Sequence, residues 1–389
     1  MNRQKIDSIL DSINSKEILL ELITGYGKTK LALDYSINKK PNNILIVIPK
    51  LVLIDSWKKE IIKWKYNEYL DKVEFTTYIS LHKCSDKQYD VIIFDECHHI
   101  SDRCKEILPN IKSKYKIFLS ATISLNLKWW LKETYPKLYS IKTTIKDAVD
   151  NKVLPDPKLI LIPLHLDYKD NTEILVKKNK TNKTFVECEY KDRWQYLRTN
   201  SVKIKCTPYQ YYNELSSEIE FWKKKAFYQE FAKNKWLSLC GERLKWLSNQ
   251  KNTIIIELLT KLKDNRVLTF CSTIKQATLL GSNCINSENV NNDSILNNFN
   301  TDKIKHITAV NMLDEGININ DCQIGLFANI NSSERLTVQR IGRILRHNEP
   351  IIIFPYYKNT REEEIVNKII ESYNPELIKK VELNNFKLL

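Results

Sequence analysis

Eight short apolar runs recur along this 389-residue chain, each bounded by turn or charged residues, with helix-like segments between them. EILLELI, NNILIVIP, YDVIIFDE and YKIFLSAT lie in the first 125 residues, and NRVLTFCS, HITAVNML, QIGLFANI and EPIIIFPYY follow residue 264. Each is rich in Ile and Val and short, so each predicts a strand. KTKLALDYSINKK and LIDSWKKEIIKWKYNEYL, which lie between runs, have helical periodicity. Strands apolar on both faces, alternating with helices, predict parallel sheets covered by helices on both sides. The expected fold class is therefore α/β, with one parallel-sheet unit over residues 1–155 and a second over 251–389. Between them, NKVLPDPK carries Pro155 and Pro157 and reads as a linker. The stretch from about 165 to 250 has a helical period and is dense in aromatics and lysines, so 156–250 reads as linker and helical insertion. NSENVNNDSILNNFN, at 286–300, reads as a polar loop.

Charge narrows the partners. A formal net charge of +14 and a pI of about 9.1 favour a polyanion, nucleic acid before an anionic membrane surface. A lysine-rich compositional bias, which the abundant Ile and Asn also suggest, accounts for the same surplus. No apolar run reaches the roughly 20 residues a membrane span needs, and MNRQKIDSILDSINSKEILLEL lacks the apolar centre and cleavage site of a signal peptide. The nine cysteines form no C-x-x-C pair, which argues against a structural zinc site. Free thiols fit a reducing cytoplasm, that of a host if the chain is viral or phage-encoded.

The stretch ELITGYGKTKLALDY, from Glu21, ends a strand, turns, and opens a helix. Its core, Gly25-Tyr26-Gly27-Lys28-Thr29, matches the end of the phosphate-loop pattern G-x-x-x-x-G-K-[ST], with Leu22 where the first glycine belongs. In that context the turn and the helix N-terminus aim backbone N–H groups at phosphates. Lys28 is placed to neutralise β- and γ-phosphate charge and Thr29 to ligate Mg²⁺, while Gly25 and Gly27 supply backbone freedom. A plain turn before a helix remains the alternative.

In VIIFDECHHI, four apolar residues run into Asp95-Glu96. Acidic side chains at the carboxyl end of a buried strand lie where α/β sheets bind ligands. Asp95 is suited to hold Mg²⁺ through water and Glu96 to act as general base on the attacking water. Two acids capping a strand at the surface are the plainer alternative, and His98 and His99 lack a third ligand at metal-binding spacing.

Asp95-Glu96-Cys97-His98 resembles the DExH box of superfamily 2 helicases, and further motifs of that family follow in order. IVIPKLVLIDSWKKEI resembles motif Ia, Ser120-Ala121-Thr122 the SAT motif, NRVLTFCST motif IV, ITAVNMLDEGINI motif V, and QRIGRILR motif VI. Arg3-Gln4 stands where the family often carries an adenine-reading glutamine. The closest flavour is the restriction-helicase-like and phage or viral repair-helicase branch, whose loop commonly reads x-L-P-T-G-x-G-K-T, so Leu22 falls within family tolerance. Ile23, in place of the usual Pro, and Tyr26, in place of a small residue, depart from it.

The resemblance implies two RecA-like domains and a nucleic-acid helicase or translocase driven by ATP and Mg²⁺, with domain closure around the nucleotide. It assigns Gln4, Thr24, Gly25, Tyr26, Gly27, Lys28, Thr29, Asp95, Gly316 and Asn318 to the nucleotide. Lys28, Glu96, Gln339 and the arginine fingers Arg343 and Arg346 are implied to be catalytic, and Thr29 and Asp95 to hold the metal. Lys50, Thr77, Thr273 and Asp314 would face nucleic acid, and Ser120 and Thr122 would couple the two sites. DNA, branched or single-stranded, is favoured over RNA, with a monomer, no membrane role, and a separate protein partner as an option. An RNA-dependent ATPase of the same fold, a restriction or defence motor, and a non-hydrolysing binding subunit are the alternatives. In the aromatic segment, residues 221, 222, 227, 228, 231 and 236 read mainly as the core of a helical bundle, with a base-stacking arm as the sharper reading.

Overall fold

The computed structural model describes residues 6, 9–10, 12, 15–23, 25–177, 201–310, 319, 322–331 and 333–387. The first sheet is built from β1 (Glu17–Glu21), β2 (Ile44–Ile48), β3 (Val73–Thr77), β4 (Gln88–Phe94), β5 (Lys112–Ser120) and β6 (Tyr139–Lys142). All pairings are parallel, in the order β3-β2-β4-β5-β1-β6. The period-2 geometry of a strand divides each apolar run between two cores. Ile18 and Leu20 of β1, Ile44, Ile46 and Ile48 of β2, and Ile117 and Leu119 of β5 pack on one face. Leu19, Leu45, Val47, Ile92, Phe94 and Phe118 pack on the other. Burial on both faces explains why these runs are continuous rather than alternating.

After β7 (Lys158–Leu164) the chain forms the antiparallel pair β8 (Thr172–Lys177) and β9 (Ser201–Cys206). Helices Pro208–Lys225, Glu230–Gln250 and Asn252–Lys261 follow. Thr207 caps the first with a reciprocal box, accepting from Gln210 N at 3.1 Å while its own N–H donates to Gln210 Oε1. The expected helical stretch therefore begins at 208, and the residues described before it include a strand pair whose lysine-rich pattern hid it.

The second sheet contains β10 (Val267–Phe270), β11 (Cys284–Ile285), β12 (His306–Ala309), β13 (Ile324–Phe327), β14 (Ile351–Tyr357) and β15 (Ile378–Lys380), and β7 joins it. The order is β11-β12-β10-β13-β14-β7-β15, again all parallel. β7, which the sequence groups with the linker and insertion, thus pairs with β14 along its whole length, Lys158 opposite Ile351 through Leu164 opposite Tyr357. A stack of Phe270, Phe327 and Phe354, with 4.6 Å between successive ring centroids, crosses the middle of this sheet. The polar stretch expected as a loop contains the helix Asn292–Asn300, which buries Phe299 completely. Phe299, with Ile295 and Leu296 packed against the same core, outweighs its many asparagines.

One charged pair ties the chain just after helix Glu230–Gln250 to the second sheet. Lys251 and Glu362 are both fully buried and 2.6 Å apart. Lys251 also donates to Pro355 O, and Glu362 accepts from Tyr357 N. Burial pushes the Lys251 pKa down and the Glu362 pKa up, each partly restored by the other. Among the described residues, no helix is long and apolar enough to cross a membrane.

Candidate active site

β1 leads into a turn held at Leu22, whose N–H donates to Ser120 O at 2.9 Å, and at Tyr26, whose N–H donates to Ile23 O at 3.2 Å. Gly25 and Gly27 have φ of 89° and 90°, a region open to glycine but costly for other residues. Space is restricted as well. A Cβ on Gly25 would lie 3.3 Å from Leu154 Cδ2 and 3.8 Å from the carbonyl of Gly342. Helix Lys28–Asn38 starts directly after Gly27 with no side-chain cap, so its N-terminal N–H groups face the turn. Tyr26 is turned inward, 1% exposed and packed in the core, and does not line the cleft. The large residue where the resemblance expects a small one therefore leaves the nucleotide side of the loop open.

β4 delivers Asp95 and Glu96 two strands away from β1, across β5. Asp95 Oδ2 accepts from the Trp57 indole N–H at 2.8 Å, and Oδ1 accepts from Glu96 N at 3.0 Å. The Tyr78 hydroxyl donates to the Asp95 carbonyl at 2.7 Å. The carboxyl keeps one edge open to the cleft but is otherwise enclosed by protein. Burial, joined by repulsion from Glu96, pushes its pKa up to about 6, against the pull of Trp57 and Lys28. Glu96 has φ 46° and ψ 56°, a left-handed conformation for a non-glycine residue that costs about 1–2 kcal/mol. Such a cost persists where the surroundings over-determine it. Here the surroundings are Lys28 Nζ, 3.7 Å from Glu96 Oε1, and His98 Nδ1, 3.3 Å from Oε2.

His98 Nδ1 also lies 3.1 Å from Ser120 Oγ, whose hydroxyl donates to Thr122 O at 2.6 Å. His98 thus lies between the acidic pair and the end of β5, hydrogen-bonded to Ser120 and near Glu96 Oε2, which makes no hydrogen bond of its own. No group of three or more His, Cys, Asp or Glu suited to a metal occurs among the described residues.

The second unit completes the cleft. Helix Glu334–Ile344 carries Gln339 and Arg343, and Arg346 follows its end. One cavity of about 640 Å³ is lined by Gly25, Gly27, Lys28, Thr29, Asp95 and Glu96 from the first unit and by Arg343 and Arg346 from the second. That volume is in the usual range for a small-molecule site. Trp57, Glu60 and Trp64 form one wall, and the linker residues Val153, Leu154 and Pro155 another. Gln339 does not line this cavity. It is 1% exposed, and neither of its amide atoms has a hydrogen-bond partner, a costly state for a buried polar group. Arg340, its neighbour, is a packing residue with its guanidinium 5.4 Å from the Phe270 ring centre. A nucleoside triphosphate with Mg²⁺ fits these features: a glycine turn that a Cβ would crowd, a helix N-terminus, a lysine, an acidic pair and two arginines from the second unit.

The other residues assigned from sequence fall as follows. Lys50 is exposed just beyond β2, and Thr77 ends β3, with Ile48 and Thr77 opposite each other, so both lie at the carboxyl edge of the first sheet. Thr273 caps helix Ile274–Leu280 beyond β10, accepting from Gln276 N at 3.1 Å. Gln4, Thr24, Asp314, Gly316 and Asn318 lie outside the described residues. The sequence missed Trp57, Tyr78 and the linker wall. Trp57 and Asp95 are 38 positions apart, and nothing local to either marks the contact.

Comparison with known proteins agrees with this layout. Residues 1–125 match the family model for the type III restriction enzyme res subunit, and residues 250–348 match the helicase conserved C-terminal domain. A curated relative, the DNA 3'-5' translocase XPB2 of Sulfurisphaera tokodaii, is 24% identical over 372 residues, covering 87% of this chain and 76% of its own. Among solved structures, the ATP-dependent type ISP restriction-modification enzyme LlaBIII bound to DNA superposes with a TM-score of 0.58 at 14% identity. The match takes in 97% of this chain but only 31% of that much longer one. S. cerevisiae Dbp5 bound to RNA and ADP BeF3 superposes with a TM-score of 0.60 at 11% identity over 98% of this chain and 89% of that one. With two RecA-like parallel sheets, a helicase family match on each, and a cleft between them that joins their motifs, this chain belongs to superfamily 2 of the helicases and translocases.

Proposed function

We propose that the chain is a DExH-type, nucleic-acid-stimulated ATPase that translocates on or opens DNA, with hydrolysis in the cleft between its two sheets. The observation that carries this reading is the convergence of Lys28, Thr29, Asp95 and Glu96 with Arg343 and Arg346 on one cavity. ATP and Mg²⁺ bound there would supply the transferable phosphoryl group and the charge that activates it. Lys28 and the N–H groups at the start of helix Lys28–Asn38 neutralise phosphate oxygens. Thr29 and Asp95 are the residues that would hold the metal. Glu96 takes the proton of the attacking water, held in position by Lys28 and His98. Arg343 and Arg346 stabilise charge that develops on the transferred group, an effect worth about 10³ to 10⁵ in rate. Gln339 is one helical turn before Arg343, and a small shift of this helix would give its unpartnered amide a nucleotide oxygen to bind.

Coupling to the polymer would run through His98, which lies between Glu96 and Ser120, so that a shift at the acidic pair would move the end of β5. Lys50, Thr77 and Thr273, at carboxyl ends of both sheets, would hold the phosphates of one strand, which implies little sequence preference and steep salt dependence. Closure of the two units on nucleotide and their release after hydrolysis would then move that strand. The DNA 3'-5' translocase relative favours DNA, and the match to a type III restriction enzyme subunit supports a motor of the restriction type.

Steady-state ATPase assays with no polymer, single-stranded DNA, duplex DNA, forked DNA and single-stranded RNA, beside Lys28→Ala, test the proposal. Stimulation by single-stranded or forked DNA that vanishes in Lys28→Ala supports it. Stimulation by RNA alone moves the substrate to RNA. No stimulation by any polymer overturns the motor reading.

A further inference from the structure

Helices Pro208–Lys225 and Glu230–Gln250 pack against each other as a hairpin whose two ends differ in character. At 1.5 Å per residue they run about 27 and 31 Å. The root is fixed to the second unit: Tyr212 Oη accepts from Arg361 N at 2.8 Å, Leu247 is fully buried, and Lys251 at the hairpin's end holds buried Glu362. The tip is the reverse. Phe221, Phe227, Tyr228 and Phe231 are 51%, 83%, 89% and 71% exposed. Among the described residues these include every exposed phenylalanine. Trp222 and Trp236, by contrast, pack partly into the hairpin's own core, so the bundle-core reading holds for them and not for the other four.

Clustered exposed rings are unfavourable in water and mark a binding surface. Charge selects the occupant. Between Glu220 and Trp236 the tip carries five lysines (223, 224, 225, 233 and 235) against two glutamates (220 and 230). Lys225 Nζ already lies 4.2 Å over the Phe221 ring. An apolar protein groove would match the rings but leave the lysine surplus unanswered. A strand with unpaired bases matches both, with bases on ring faces and phosphates on ammonium groups.

We propose that this tip is a stacking site for unpaired bases where the two strands of a duplex part, with Phe227 and Tyr228 as the stacking faces and Lys223, Lys224 and Lys225 on the phosphates. The proposal deepens the motor reading and rests on it for the class of ligand. It makes the hairpin a rigid arm of the second unit, so movement of that unit would carry the tip along the junction.

The test compares the wild type with the double variant Phe227→Ala/Tyr228→Ala, whose replaced side chains are exposed, so its melting curve should match. Fork and blunt-duplex binding is read by anisotropy without nucleotide, using DNA and RNA forks that carry 2-aminopurine at the first unpaired position. The wild type should prefer the fork by about tenfold or more and shift the 2-aminopurine emission. The variant should lose both, yet keep blunt-duplex binding and single-strand-stimulated ATPase. Equal fork preference and equal emission in the two proteins would overturn the proposal. So would a tip whose loss affects only adsorption to anionic vesicles or pull-down of a protein partner. If no polymer stimulates hydrolysis but the variant still loses the fork, the motor reading fails while the site stands.

Discussion

The two walls of the cleft are built differently. On the first unit, nearly every functional group is held by another: Asp95 by the Trp57 indole and Glu96 N, Glu96 by Lys28 and His98, and His98 by Ser120. Behind the second wall, on the helix that carries Arg343 but outside the cavity lining, Gln339 is buried with an unpartnered amide. The first wall is held by contacts within its own unit, with the buried Glu96 Oε2 and Thr122 Oγ1 left without a hydrogen bond. Behind the second sits a polar group in a costly state that only a rearrangement or a ligand relieves. In the proposed motor, the first wall would define the nucleotide site and the second would respond to its filling.

The largest effects should come from substitutions that leave the first wall intact and disable the second. Arg343→Ala should lower hydrolysis by about 10³-fold or more while nucleotide affinity changes little, as nucleotide titration beside steady-state rates would show. Equal losses of affinity and rate would place Arg343 in ground-state binding instead. On the first wall, Trp57→Phe keeps the ring and removes the N–H that orients Asp95. It should weaken the apparent affinity for Mg²⁺ about tenfold, measured as the Mg²⁺ concentration for half-maximal hydrolysis, with a smaller change at saturating Mg²⁺. An unchanged Mg²⁺ requirement would make Trp57 a packing residue only.

Acidity sharpens the same contrast. Protons and Mg²⁺ compete for Asp95, whose carboxyl is pushed up to about 6, so Mg²⁺ affinity should fall as pH drops through that region, and the fall should disappear in Asp95→Asn. The sign for stability is opposite to the usual carboxylate. A pKa raised in the fold means that the ionised form opposes folding, a penalty fully present above about pH 6 and gone below the unfolded value near 3.9. Asp95→Asn should therefore melt at or above the wild-type temperature at pH 7.5 while losing activity. A lower melting temperature would show that the lost attraction to Lys28 outweighs the relief of burial. Away from the cleft, Glu362→Ala should destabilise the second unit by about 3–5 kcal/mol in urea unfolding, because it leaves Lys251 charged and unpaired at 0% exposure.

The sequence made the strands legible because a parallel sheet buried on both faces writes each strand as an unbroken apolar run, as in Ile44–Ile48 and Ile351–Tyr357. Strands that miss that condition escaped: β3 is half-buried and reads VEFTT, and β6 reads YSIK. The membership of β7 in the second sheet was hidden for another reason, since its partner β14 is nearly 200 positions away and pairing across that distance leaves no local mark. The site was legible where one backbone geometry requires a fixed spacing, as at Gly25, Gly27, Lys28 and Thr29. It was illegible where function rests on a contact made only by the fold, as between Trp57 and Asp95. Tyr26 shows the limit from the other side: the resemblance counted it among the nucleotide residues, but the turn directs its side chain into the core.

The most direct test of the split cleft is the ATP hydrolysis rate of wild type and Arg343→Ala, each with and without saturating single-stranded DNA. Stimulation of about tenfold or more in the wild type, and none in a variant that still binds nucleotide, is the predicted result. A wild type indifferent to DNA, or an Arg343→Ala variant stimulated as strongly as the wild type, would contradict it.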